Sequence, residues 1–114
     1  MKTGNTTNQG VTRDFLKATM RIIAQNTSSN YSKLAIMGVK AQLNNEFEFS
    51  KNIHIKDGMV KVDKIINSVS RDELRKFFMK VIDIVGPKYL KLLLVKKLKP
   101  KELNYLKNLG LDIL

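Results

Sequence analysis

Cysteine and tryptophan are absent from the chain, histidine occurs once and proline twice. Without cysteine there are no disulfides, no thiolate nucleophile and no thiolate zinc site. A lone imidazole, His54, has no second histidine with which to hold a structural metal. Glycines 38, 58 and 86 are isolated, so no glycine-rich phosphate loop can be drawn. The carboxylates are scattered, without the spacing of a calcium loop or of an acid–base pair. No serine or threonine sits in a nucleophile elbow. The expectation is a chain with no catalytic residue, no metal and no cofactor. Long apolar runs are lacking as well. Even a run such as Leu92–Val95 is far too short to cross a bilayer, and residues 1–10 have no apolar core of the kind a signal peptide needs. Together with the missing cysteine, this sets the expectation of a cytoplasmic protein.

What is abundant is lysine. Of 114 residues, 21 are basic and 10 acidic, a formal net charge of +11, and only four of the basic residues are arginine. Such an excess attracts polyanions, although a lysine-rich solvated surface serves solubility equally well. Hydrophobic residues make up 43% of the chain, an ordinary share for a globular domain of this length.

Periodicity predicts an α+β fold, a mostly helical single domain with one small antiparallel β-hairpin. Residues 1–11 read as a flexible polar tail, and 12–114 as the domain. Thr12 is a suitable N-cap for a helix over Arg13–Gln25, with Phe15, Leu16, Thr19, Ile22 and Ile23 on its apolar side. Asn26–Asn30 is a polar cluster expected to form a loop. A second helix over Tyr31 to Leu43 or Asn44 then folds back on the first; if the cluster stays helical, the two are one long helix. Gly38 sits inside that helix, where it either admits a close neighbour or marks a bend. Within Asn44–Asn52, Phe47 and Phe49 alternate with Glu46 and Glu48, the pattern of a short strand or extended segment.

The hairpin signal is stronger. Ile53 and Ile55 alternate with polar residues, Asp57-Gly58 follows, and Val60 and Val62 alternate in turn. With Asp57 and Gly58 as a two-residue loop, Ile55 opposes Val60 and Ile53 opposes Val62, all on one face. Lys64–Val69 reads as a helical turn. Ser70 and Glu73 have capping-box spacing ahead of Leu74, Phe77, Phe78, Val81, Ile82 and Val85, and Gly86 ends that helix. Pro87 suits the first turn of a further helix over Lys88–Lys99, apolar on several sides; a single kinked helix is the alternative. Pro100 opens a last one, which Gly110 stops.

Two functional expectations follow. A helix apolar around its circumference, and an apolar tail, favour a non-catalytic interaction, oligomerisation or regulatory accessory role. The expected partner is a second copy of the chain in a homodimer, or another protein. Tyr89, Leu90, Leu93, Leu94, Leu98, Leu111 and Ile113 form that candidate surface. The alternative is a nucleic-acid-binding regulator that contacts phosphates through Lys88, Lys91, Lys96, Lys97, Lys99 and Lys101.

Overall fold

A computed structural model describes residues 7–56, 58–86 and 93–111 of the chain. It is an α+β fold, mostly helical, with one two-stranded antiparallel sheet. Helix α1 spans Asn8–Asn26 and α2 spans Ser29–Glu46. A 3-10 turn, Glu48–Asn52, leads into β1 (Ile53–Lys56) and β2 (Met59–Val62). A second 3-10 turn, Lys64–Ser68, precedes α3 (Arg71–Val85). Residues 93–97 are helical, and α4 covers Pro100–Asn108.

The chain is ordered earlier than its polar composition suggests. Thr7, not Thr12, caps α1, its hydroxyl accepting from the Gly10 amide at 3.0 Å. Residues 8–11 are the first turn of the helix rather than a tail. The Asn8 side chain donates to the Ile66 and Val69 carbonyls at 3.4 and 3.2 Å, and that of Gln9 to the Val62 carbonyl at 2.9 Å. Polar side chains here satisfy backbone acceptors distant in sequence, which no local pattern announces. Thr12, moved inside the helix, is buried.

The polar cluster 26–30 is cap chemistry compressed into two residues. Asn26 and Thr27 donate side-chain hydrogen bonds to the Ile22 and Ile23 carbonyls, the second of which is an acceptor left open at the end of α1. Ser28 then caps α2 by accepting from the Tyr31 amide at 3.1 Å. The chain therefore forms two helices, and Ser32 Oγ fastens them by donating to the Met20 carbonyl at 2.5 Å.

Phe47 and Phe49 are not on a strand. Helix α2 continues through Glu46, and a 3-10 turn follows. That turn aims both rings at Phe77, with centroids 5.6 and 5.2 Å away, so burial around one aromatic overrides the alternating pattern. The hairpin has the expected register, Ile53 opposite Val62 and Ile55 opposite Val60. Gly58, at φ 79°, supplies the left-handed turn residue; its loop neighbour Asp57 lies outside the described residues.

Ser70 accepts from the Glu73 amide at 3.2 Å and starts α3, which runs to Val85. Phe77 and Phe78 are fully buried, and Phe78 stacks on Phe15 of α1 at 4.5 Å. One continuous core joins these residues with the hairpin face and Leu94, Leu98, Leu106, Leu109 and Leu111. Two polar ties close the fold at its ends. Lys80 Nζ lies 3.1 Å from Glu46 Oε1, joining α3 to the end of α2. The Arg71 guanidinium donates to the Asn108 carbonyl at the end of α4. Among the described residues, no helix is long and apolar enough to cross a membrane.

Candidate functional site

Where it lies among the described residues, the C-terminal apolar surface expected from the sequence is largely turned inward. Leu94, Leu98 and Leu111 are 0%, 7% and 4% exposed and belong to the core, and Leu93 is half-buried against it. On the 93–98 segment Leu94 and Leu98 enter the core, while Leu93 and Val95 stay partly exposed. Leu111 is turned inward by a Schellman motif: its amide donates to the Leu106 carbonyl and the Gly110 amide to the Lys107 carbonyl, with Gly110 at φ 102°. Tyr89, Leu90 and Ile113 lie outside the described residues.

An exposed apolar face exists elsewhere, on α2. Ser32, Ile36, Val39 and Leu43 follow one side of this helix into the core. Tyr31, Leu34 and Met37 on the other side are 56%, 70% and 55% exposed. Gly38 and Ala41 continue the same outer stripe and are exposed too. Among the described residues, a Cβ placed on Gly38 would meet no atom within 4 Å, so packing against them does not require a glycine here. Two lysines on α2 lean away from the stripe. Lys40 donates to Asn44 at 2.7 Å, lines a crevice with Leu16 and Ile36, and has its pKa lowered by burial. Lys33 reaches the hairpin turn, where its Cε lies 3.2 Å from the position of a Cβ on Gly58. What remains outside is an uncharged strip of about three turns, from Tyr31 to Ala41, on a strongly basic protein.

The lysine expectation fares differently. Lys97, Lys99 and Lys101 line two adjoining hollows, of about 340 and 200 Å³, between α1 and residues 97–102. Opposite them stand Arg13, Lys17 and Arg21. Lys96 is exposed but outside this cleft, and Lys88 and Lys91 fall outside the described residues. The three α1 cations were visible in sequence as a four-residue spacing on one helix side. No local signal said that a segment some eighty positions later would face them.

Asp14 and Glu102 meet on the floor shared by both hollows. Burial pushes the Glu102 carboxyl up, and its hydrogen bond with Asp14 pushes it further. Burial alone would also raise Asp14, but the Glu102 bond and the Arg13 and Lys17 charges hold it below its ordinary value. Asp14 also pairs with Arg13 Nε at 3.1 Å, and Glu102 accepts from the Lys99 amide at 3.1 Å as the cap of α4.

His54 stands on the exposed side of the hairpin, its Nε2 3.0 Å from Asp63 Oδ2. Among the described residues, no group of three or more His, Asp or Glu side chains could hold a metal ion. Comparison with known proteins gave no matching family model, curated protein or solved structure.

Proposed function

We propose that the chain is a non-catalytic interaction module that assembles as a homodimer through the outer face of α2. The observation that carries this reading is the exposure of Tyr31, Leu34 and Met37 on one uncharged stripe around Gly38. At a formal net charge of +11, two copies repel each other over most orientations. They approach at least electrostatic expense through a face that holds no charge. Gly38 supports a second copy as the occupant. Glycine inside a helix costs about 1 kcal/mol relative to alanine, and here packing against the described residues does not require it. A two-fold axis near Gly38 brings two such positions together, and the helix backbones then approach more closely than side chains elsewhere would permit.

Sedimentation velocity over a concentration series tests the proposal. The expected result is a monomer–dimer equilibrium for the wild type that Leu34→Glu abolishes while the helical circular-dichroism spectrum is kept. A wild type that sediments as a monomer at every concentration would refute it.

A further inference from the structure

We propose that the cleft between α1 and residues 97–102 binds the phosphate backbone of a nucleic acid without reading its sequence. Arg13, Lys17 and Arg21 recur every four residues on α1, about 6 Å apart along the helix axis. Lys97, Lys99 and Lys101 form the facing wall. The two hollows are consecutive along α1: one holds Arg13 and Lys101, the next Lys17, Arg21 and Lys97, and Lys99 borders both. The result is a trough with cations on both sides, a shape that suits a row of anions rather than a single one.

The floor does not cancel this charge. Asp14 is engaged by Arg13, and Glu102 by the Lys99 amide and by Asp14. Among the described residues, Lys17, Arg21, Lys97, Lys99 and Lys101 have no ion-pair partner. Six cations against two carboxyl groups leave the trough strongly positive, and its concave walls concentrate the field.

Phosphates of one strand follow each other every 3.4 Å along a duplex axis, a denser line of charge than an acidic polypeptide offers along one edge. Arginine forks and lysine ammonium groups both suit phosphate oxygens. Among the described residues, the lining contains no aromatic side chain, so these residues offer no platform on which bases would stack. Recognition is therefore by backbone charge, independent of sequence and steeply dependent on salt.

Fluorescence anisotropy with labelled mixed-sequence duplex and single strands, across a salt series, tests the site. The cleft variant Lys17→Gln/Arg21→Gln/Lys97→Gln is compared with Lys56→Gln/Lys61→Gln/Lys64→Gln, which removes the same charge from the hairpin region. The cleft variant is expected to bind about tenfold more weakly or worse. Its slope of log affinity against log salt should fall by about 2 to 3, the value for three lost phosphate contacts. The hairpin variant should stay close to wild type. Asp14→Asn, which removes a negative charge from the floor and releases Arg13, should bind more tightly, a gain that misfolding cannot imitate. Equal losses in the two triple variants would overturn the proposal, because the attraction would then belong to the whole surface. It would also fall if labelled polyglutamate bound as tightly as nucleic acid, or if no nucleic acid bound at low salt.

Discussion

Helices α2 and α3 are similar in length and both rich in apolar residues, yet they distribute those residues differently. Along α3, Leu74, Phe77, Phe78, Val81 and Ile82 all enter the core, and Met79 is its one large apolar side chain left exposed. Along α2 the apolar residues fall on two sides. Ile36, Val39 and Leu43 are buried, while Tyr31, Leu34 and Met37 stand in solvent. The apolar surface of α3 is used up within the fold. That of α2 is not all covered by the described residues, and the exposed part lies on one continuous stripe. An amphipathic helix is explained by its own domain; a helix apolar on two opposite sides calls for a second contact.

Substitutions on the two helices should separate stability from association. The largest effect is expected at Phe77, fully buried and in ring contact with Phe47, Phe49 and Phe78. Phe77→Ala should destabilise the fold by about 3–5 kcal/mol, measured by urea unfolding, a large part of the stability of a small domain. Ser70→Ala, which removes the hydroxyl that caps α3, should lower stability by about 1 kcal/mol.

Gly38→Ala sharpens the contrast because two effects of opposite sign are expected. The monomer should gain up to about 1 kcal/mol from improved helix propensity, since the added methyl meets none of the described residues within 4 Å. The proposed dimer should weaken, because the same methyl would separate its two backbones. A stabilised monomer with unchanged association would place the dimer contact elsewhere.

The smallest effects concern the carboxyl pair of the cleft and depend on pH. Asp14 is held below its ordinary pKa, so it stabilises the fold at neutral pH, and this contribution fades as pH falls through its folded pKa. Asp14→Asn should be less stable than wild type at neutral pH, with the gap closing on acidification. Glu102 is raised, so its ionisation opposes folding as pH rises above the ordinary carboxylate range. Glu102→Gln keeps an acceptor for the Lys99 amide and should be the more stable protein at neutral pH, again with the difference narrowing in acid. Thermal unfolding from acid to neutral pH reads both signs.

Local chemistry made much of this fold legible. The Asp57-Gly58 signal fixed the hairpin register, and Ser70, Gly86, Pro100 and Gly110 marked helix ends that the structure has. Distant partners decided what was missed. The first turn of α1 is secured by Asn8 and Gln9 reaching carbonyls more than fifty positions away. Phe47 and Phe49 turn toward Phe77 rather than extend into a strand. The apolar circumference near Leu94 and Leu98 looked like an outward surface because the sequence does not say which helices surround it. The basic cluster at Lys97, Lys99 and Lys101 could be read directly. Its facing wall on α1 could not, since only the folded chain brings those residues opposite.

Sedimentation equilibrium on wild type and Leu34→Glu, at matched concentrations and moderate salt, bears most directly on the contrast between α2 and α3. Association through α2 predicts reversible dimerisation of the wild type and a monomeric Leu34→Glu protein with unaltered unfolding of the monomer. An equally dimeric Leu34→Glu protein, or a wild type that never associates, would contradict it.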